Sequence, residues 1–278
     1  MEFRTWVTGH LTGGLGNRLF QHAAAAGSAE KWGIPTVFYI PECEPTNHGP
    51  FDTIFKLFPT IPKIEKPVAV QRLAEANGGV FTYTAFPSTP PAPFLSIDGW
   101  RQTELYFPTG GLHLDFTAAI DEQTRNSLLT TYDLLTDEKK WNTWFIHIRL
   151  GDYKILPHHQ IDLNSYYSQA VKYIPQGATV YLFSDEIEQF GSFLQSFFKE
   201  LGITVKPVPV ADELHTLFLM SMCWGGAIVA NSTFSWWGAY AAHKHNTGHV
   251  AIYPGKWGNG LPVAKDVVPS WGIRISNS

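Results

Sequence analysis

The amino-acid sequence predicts an α/β protein in which helices cover both faces of parallel sheets. Short apolar runs typical of buried strands alternate with longer segments whose apolar residues recur at helical spacing. Four of the predicted strands are followed at once by polar or glycine-rich residues, which is where open parallel sheets bind ligands. The composition agrees, because 44% of the 278 residues are hydrophobic and only 16% are charged, which allows a sizeable core.

The predicted strands are short and mostly apolar, and they cover residues 6–11, 36–40, 143–148, 179–183, 203–208, 227–230 and 250–253. The predicted helices cover residues 17–32, 164–173, 188–201 and 212–223, and a further helix follows the strand at 227–230. The helix at 212–223 has Leu214, Leu217 and Phe218 on one face, and Asp212 is expected to cap its N-terminus.

The length and two interruptions of the pattern predict two domains. The proline-rich segment 87–93 predicts a loop within the first half, and a second break falls near residues 137–142. We therefore expect one α/β domain over residues 1–138 and another over residues 139–278.

Charge and cysteine content narrow the possible functions. The net charge of −4 and the isoelectric point near 6.2 argue against a nucleic-acid partner. Cys43 and Cys223 are far apart, so neither a disulfide framework nor a structural zinc site is expected, and a reducing compartment fits best. With no apolar run of roughly 18 residues and no signal-peptide pattern, we expect no transmembrane segment and a cytoplasmic location.

The start of the helix after the strand at 227–230 is suited to binding an anion. Asn231, Ser232 and Thr233 come directly after that strand, so their hydroxyl groups and the first N–H groups of the helix would face a phosphate. The alternative is that Ser232 or Thr233 simply caps the helix.

The first predicted strand is followed by a glycine-rich loop that spans residues 12–16. Gly13, Gly14 and Gly16 do not complete the dinucleotide-binding pattern, because Leu19 occupies the position of its last glycine. The loop also lacks the Gly-Lys-Ser/Thr ending of a phosphate-binding P-loop, and a plain tight turn is the alternative.

Three side chains at other strand ends suit a nucleotide. Arg149 directly follows the strand at 143–148, where its guanidinium would bind a diphosphate through two parallel hydrogen bonds or form an interdomain salt bridge. His147 shares a strand face with Arg149, although an isolated histidine there is more often part of the core. Asp185 would accept hydrogen bonds from a ribose or a base, or cap the next helix.

Five ordered motifs together resemble those of the α-1,2-fucosyltransferases. They lie at residues 13–21 (GGLGNRLFQ), 99–107 (GWRQTELYF), 147–153 (HIRLGDY), 183–186 (FSDE) and 231–239 (NSTFSWWGA). The segments 254–257 (PGKW) and 269–271 (PSW) are also similar to the C-terminal part of that family, so the resemblance extends over nearly the whole chain.

The resemblance implies a GT-B-type fold, in which two Rossmann-like domains face each other across a cleft. The N-terminal domain would lie on the acceptor side and the C-terminal domain would bind the nucleotide-sugar donor. The implied reaction is an inverting, metal-independent transfer of L-fucose from GDP-fucose to a hydroxyl of an acceptor glycan. No cofactor is implied, because fixed positive charge would stabilise the leaving group in place of a metal ion.

The resemblance also assigns roles to residues of this chain. Arg149 would bind the diphosphate, and Ser232 and Thr233 would complete that site. His147 and Asp185 would lie near the nucleoside. The remaining residues expected near the donor come from the first and last motifs: Gly14, Gly16, Asn17, Arg18 and Asn231.

The catalytic residues expected from these motifs are Arg149, Asn17 and Asp152. An inverting transfer needs deprotonation of the acceptor hydroxyl. Among the motif residues, Asp152 is the first candidate for this base and Glu104 is the second. A structural hydrogen bond at the turn is the alternative role for Asp152.

The third motif departs from the family at Leu150, where a second arginine is usual. The second motif has Arg101 where the family has glutamine, and this extra cation is hypothesised to compensate for the missing one. The departure leaves a different nucleotide sugar, GDP- or UDP-linked, as an alternative donor. A non-catalytic carbohydrate-binding protein is a further alternative, which the presence of Asn17, Arg149, Ser232 and Thr233 disfavours.

Overall fold

The computed structural model describes residues 3–45, 48–75, 81–261 and 265–276. The chain separates into two compact units, one made of Met1–Ala119 and Ala264–Pro269, the other of Ile120–Val263 and Ser270–Ser278. The division lies before the predicted boundary at residue 138. The segment predicted as a break between domains instead contains a short helix, Asp137–Trp141, within the second unit.

The first unit is α/β. Its elements in chain order are β1 (Trp6–Gly9), α1 (Leu15–Trp32), β2 (Phe38–Tyr39), α2 (Thr53–Leu57), β3 (Lys63–Ile64), β4 (Gln71–Leu73), β5 (Phe94–Ile97) and α3 (Phe116–Ala119). The strands pair in parallel in the orders β1-β5-β4 and β2-β3, and a parallel bridge between Val7 and Thr36 joins the two sets.

Burial fixes the position of β1 and α1 in this unit. Every residue of β1 is buried, and α1 packs on it through an alanine-rich face at residues 23–25, which are fully buried. α1 ends where Gly33 takes the left-handed conformation with φ of 66°. The helix predicted at 17–32 is confirmed, and its first turn follows the glycine-rich loop at the carboxyl end of β1.

The second unit contains the longer sheet. Its elements are α4 (Glu122–Thr131), α5 (Asp137–Trp141), β6 (Thr143–Ile148), α6 (Leu163–Ala170), β7 (Thr179–Ser184), α7 (Ile187–Glu200), β8 (Lys206–Pro207), α8 (Glu213–Ser221), β9 (Gly226–Ile228), α9 (Thr233–His245), β10 (Val250–Pro254) and β11 (Gly272–Ile275). The strand order is β11-β10-β9-β6-β7-β8 and all neighbours are parallel. Parallel sheets in both units confirm the predicted α/β class; the GT-B-type arrangement stays a prediction.

The strand order of the second unit defines where its ligand site should lie. Numbered within the unit, the order is that of a Rossmann sheet, and it reverses between β6 and β9. Ligands of such sheets bind beyond the carboxyl ends of the strands at this switch point. The registers Ile146↔Ile228 and Ile148↔Ser184 bring the residues after β6, β7 and β9 to one edge.

Most elements predicted for the second half are confirmed, with small shifts at their ends. Asp212 caps α8 as predicted, since its carboxylate accepts hydrogen bonds from the N–H groups of Leu214 and His215. The strand predicted at 203–208 is shorter, because only Lys206–Pro207 pairs with β7. Four strands of the two units, β3, β4, β5 and β11, were not predicted from the sequence.

Candidate functional site

Arg149 lies immediately after β6, at the switch point, and two carboxylates hold its guanidinium. Its Nε and Nη2 donate to Oδ1 of Asp152 at 3.2 and 2.5 Å, and its Nη1 lies 3.2 Å from Oδ2 of Asp185. The Arg149 side chain remains 26% exposed. The predicted alternative of an ion pair is therefore present, but both partners belong to the same unit as the arginine.

Asp185 joins the ends of β6 and β7. Besides its contact with Arg149, its Oδ1 accepts the backbone N–H of Leu150 at 2.9 Å. A Cβ on Gly151 would collide with Oδ2 of Asp185, so only glycine fits at that position without displacing the carboxylate. Asp185 therefore fixes both the guanidinium and the turn after β6.

The charges at this edge shift the titration of their neighbours. Burial acts to lower the pKa of Arg149, but the charges of Asp185 and Asp152 outweigh burial and raise it. Burial, helped by the positive charge of Arg149, lowers the pKa of His147 from 6.5 to about 3. His147 is therefore neutral at physiological pH, and its buried Nδ1 has no hydrogen-bond partner among the residues that the structure describes.

Asn231, predicted to contact the donor, has a structural role in this structure. Its Nδ2 donates to the carbonyl oxygens of His159 at 2.7 Å and Trp257 at 2.9 Å, which uses both amide hydrogens. The backbone carbonyl oxygen of Asn231 accepts a hydrogen bond from the hydroxyl of Tyr153 at 3.1 Å. Asn231 thus ties the turn after β9 to two other loops of the unit.

Tyr153 and His159 complete this edge, and sequence reasoning gave neither a role. Their rings stack at 4.3 Å with an interplanar angle of 8°, and the guanidinium carbon of Arg149 lies 5.5 Å from the Tyr153 ring centre. Burial raises the pKa of Tyr153 to about 12, so the phenol remains a hydrogen-bond donor. The sequence gives no sign of this aromatic surface beside Arg149, because Tyr153 and His159 come from separate turns.

Ser232 and Thr233 begin α9 at the same edge. Ser232 is the N-cap residue with extended backbone angles, but its side chain makes no capping hydrogen bond. The alternative that the Ser232 hydroxyl caps the helix is therefore wrong. Since Thr233 is the first residue of a 13-residue helix, the positive end of the helix dipole lies here.

In the first unit, Arg18 is fully buried and supports the glycine-rich loop. Its Nε donates to the Gly13 carbonyl at 2.8 Å, and Nη1 donates to the carbonyls of Pro50 and Phe51 at 3.1 and 3.0 Å. Gly13 has a φ of 73°, which favours glycine, and Gly14 is the N-cap of α1. These contacts hold the loop in place, and the donor contact of Arg18 stays a prediction.

The first two motifs meet in this unit through Asn17, whose Oδ1 accepts the amide of Gln102 at 3.1 Å. Gly16 lies beside it within α1. The hypothesis that Arg101 compensates for Leu150 is wrong. Arg101 is 2% exposed, and its guanidinium donates to the Asp98 and Leu73 carbonyls at 3.1 and 2.8 Å. Leu150 packs against the hydrophobic core of the second unit.

Two further observations concern metals and membranes. Within the described ranges, His, Cys, Asp and Glu form no group of three or more that is arranged to hold a metal ion. Across the same part of the chain, no helix combines the length and the apolar character needed to cross a bilayer.

Two curated proteins are similar in sequence to this chain. The O-antigen biosynthesis glycosyltransferase WbnK of Escherichia coli is 34% identical over 137 residues, and the α-1,2-colitosyltransferase of Escherichia coli is 30% identical over 123 residues. The alignments cover 47% and 42% of this chain, and 44% and 41% of the relatives, so the chain spans less than half of their length. Both relatives are named as glycosyltransferases, which agrees with the resemblance indicated by the motifs.

A solved structure of fucosyltransferase NodZ from Bradyrhizobium is 15% identical, with a TM-score of 0.48 over 86% of this chain and 92% of that chain. No family model matches the sequence.

Proposed function

We propose that this chain is an inverting, metal-independent glycosyltransferase that moves L-fucose from GDP-fucose to a hydroxyl of an acceptor glycan. The observation that carries the proposal is Arg149 at the switch point of the second unit, next to the N-terminus of α9. A fixed guanidinium and a helix N-terminus on one sheet edge suit a diphosphate. The similarity to proteins named as glycosyltransferases supports a glycosyltransferase activity for the chain.

In the proposed ground state, the donor diphosphate binds Arg149 in place of one of its carboxylate partners. Asp152 is the partner expected to give way, because its side chain is 34% exposed and lies in the short turn after β6. Asp185 is anchored by the Leu150 N–H and keeps the guanidinium oriented. As the glycosidic bond to the diphosphate breaks, negative charge grows on the leaving group, and Arg149 stabilises it.

The other predicted donor residues fit supporting roles in the proposal. Ser232 and Thr233 would donate hydrogen bonds to the phosphates from the start of α9, while His147, held neutral, would accept or donate a hydrogen bond near the nucleoside. Asn231 would act by holding the loops in place. Asn17, which accepts a hydrogen bond from Gln102, keeps its predicted role near the sugar.

A second donor is supported by a specific observation. One relative is named as an α-1,2-colitosyltransferase, and this chain has Leu150 where the fucosyltransferase motif usually has a second arginine. The same site would then take a colitose nucleotide in place of GDP-fucose, with Arg149 in the same role.

The test is nucleotide release from a panel of nucleotide sugars, which includes GDP-fucose, GDP-colitose and a UDP-sugar, with simple sugar acceptors and EDTA. We expect turnover of a GDP-sugar that survives EDTA and falls by about 100- to 1,000-fold in Arg149→Ala. Proton NMR of the product would show an inverted anomeric centre. Arg274→Ala is the matched control, since Arg274 is an exposed arginine of the same unit.

Each part of the proposal has its own contrary result. Loss of turnover in EDTA that Mg²⁺ restores would reject metal independence. Turnover of a colitose or UDP-sugar donor alone would replace the proposed donor. Wild-type turnover that Arg149→Ala and Arg274→Ala leave equally intact would remove Arg149 from the mechanism.

A further inference from the structure

The first unit has a topological switch point of its own, between β1 and β5. The parallel bridge between Val7 and Thr36 gives the strand order β3-β2-β1-β5-β4, so the chain builds outward from β1 and then returns on its other side. The register Gly9↔Ile97 brings the loops after β1 and β5 to one edge of the sheet. Because open parallel sheets bind ligands at such a crevice, these two loops are where a ligand of the first unit is expected.

The loop after β5 carries an exposed indole at this point. In the part of the first unit that the structure describes, three large hydrophobic residues are exposed, and two of them, Trp100 and Leu105, belong to the segment after β5. The third, Tyr83, packs its ring against that of Tyr106 at 4.9 Å. Trp100 is 43% exposed, whereas tryptophan is a residue type that folded proteins bury for most of its surface. The indole therefore offers a ring face to a ligand at the switch point.

A strained turn holds Trp100 outward. Gly99 has a φ of 113°, and a Cβ at that position would collide with Glu75. Arg101 has a φ of 51°, a left-handed conformation that non-glycine residues adopt when surrounding contacts impose it. Those contacts are the hydrogen bonds from its guanidinium to two backbone carbonyls, and the bond from its backbone N–H to the Glu75 carboxylate at 3.0 Å. Strain of this kind is concentrated at ligand sites, so the turn presents the indole at an energetic cost.

The partly exposed polar side chains of these two loops include a pair of carboxamides. Gln102 follows Trp100 by two residues and donates its amide to Oδ1 of Asn17 at 3.1 Å, which joins the loop after β5 to the first turn of α1. The arginines of the same loops, Arg18 and Arg101, are buried, so neither presents its guanidinium to a phosphate group in solution. A ring face on a loop with carboxamides suits an uncharged ligand whose rim carries hydroxyl groups.

We propose that Trp100 is the stacking surface for a neutral pyranose of the acceptor glycan, with Gln102 and Asn17 as hydrogen-bond partners of its hydroxyl groups. A pyranose has an apolar C–H face that packs on an aromatic ring, and its hydroxyl groups both donate to and accept from amides. This inference rests on the proposed function for the identity of the sugar as the acceptor. The binding surface itself consists of residues of the first unit.

The first test observes the Trp100 indole directly and needs no turnover. Proton–nitrogen NMR of the isotope-labelled full chain records the Nε1–H signals of the tryptophans, and Trp100→Phe identifies the signal of Trp100. The probes are the methyl glycosides of galactose, glucose and N-acetylglucosamine, and GDP is titrated separately. We expect a glycoside to shift the Trp100 signal saturably. The signal of Trp141, an exposed tryptophan of the second unit, should not move.

The second test measures initial rates with the donor and the glycoside that give turnover in the wild type. Trp100→Ala should raise the acceptor KM by about 10-fold with little change in kcat or GDP affinity, because it removes binding shared by the ground and transition states. Trp100→Phe keeps a ring face and should stay within about 3-fold of the wild-type KM. Trp141→Ala is the matched control and should keep the wild-type KM. Thermal unfolding of each variant shows that it is folded.

The contrary results separate this inference from the proposed function. If no glycoside shifts the Trp100 signal, or if only GDP does, Trp100 is not a sugar-binding surface, and turnover alone then decides the proposed function. An acceptor KM in Trp100→Ala equal to that of Trp141→Ala would overturn the inference as well. A saturable glycoside shift without turnover of any donor would keep the pyranose site while the proposed function fails.

Discussion

The carboxyl ends of the two sheets carry charged clusters of opposite arrangement. In the second unit a cation, Arg149, lies between Asp152 and Asp185; in the first a carboxylate, Glu42, lies between His10 and Arg72. The central side chain is 26% exposed for Arg149 and 10% for Glu42. A partly exposed cation can exchange a carboxylate for an anionic ligand, whereas a buried carboxylate holds structural elements together. The same sheet edge can therefore serve binding in one unit and rigidity in the other.

The largest expected effect separates these two roles. Glu42→Gln should lower the free energy of unfolding by about 3 kcal/mol, because it removes the charge of a carboxylate that is 10% exposed and joins Arg72, His10 and Ser96. Arg149→Gln should change it by about 1 kcal/mol or less, since its ion pairs are partly exposed. Urea denaturation of both variants, with GDP affinity measured in parallel, makes the comparison. Equal losses of stability would mean that both clusters are structural.

A second effect concerns two buried histidines, one in each unit. Burial lowers the pKa of His22 to about 3, and burial together with the charge of Arg149 does the same for His147. Above pH 6.5 both imidazoles are mostly neutral in the folded and the unfolded chain. Below pH 6.5 they take up protons in the unfolded chain but stay neutral in the folded one. Stability is then lost as the pH falls from 6.5 towards about 3. Between about pH 7 and pH 5 each histidine should account for about 2 kcal/mol of that loss.

Urea denaturation at several pH values checks this, with His22→Phe and His147→Phe each expected to flatten the profile. Arg149→Gln sharpens the comparison, because it should reduce the acid sensitivity that arises from His147 and leave that of His22 unchanged. Identical profiles for His22→Phe and the wild type would contradict a neutral buried imidazole.

The smallest effect lies at the aromatic pair beside Arg149. Tyr153→Phe removes the hydrogen bond to the Asn231 carbonyl but keeps the ring that stacks on His159. We expect a loss of about 1 kcal/mol of stability with little change in GDP affinity. Thermal unfolding measures it against Tyr173→Phe, an exposed tyrosine of the same unit. A melting temperature equal to that of the control would show that the bond does not couple the two turns.

The sequence predicted the long, regular parts of the fold well. The helix at 17–32 and the strand at 143–148 follow from unbroken apolar patterns, and both are confirmed. β5 was missed because it directly follows the proline-rich segment, whose composition predicts a loop. α5 was read as a break because its charged residues have no buried face.

For the candidate site, local motifs located the strand ends but not the partners of each side chain. Arg149 and Asp185 come together because β6 and β7 are adjacent parallel strands. The alternation of strands and helices along the sequence already predicts this kind of pairing. The hydrogen bonds of Asn231 and the burial of Arg101 depend on loops distant in sequence, so no local pattern reveals them. The contacts of Glu42 with His10 and Arg72 lie outside every motif, and only the structure shows them.

The two hydrogen bonds of Asn231 have a consequence for loop grafting. The loops that contain His159 and Trp257 are attached to one amide, and the Tyr153 hydroxyl adds a third attachment to the same residue. In a chimera that exchanges one of these loops for that of a relative, the new loop would keep the native conformation only if it places a backbone carbonyl where the Asn231 amide can donate to it. Recombination of this region should therefore treat both loops as a single module, transferred together.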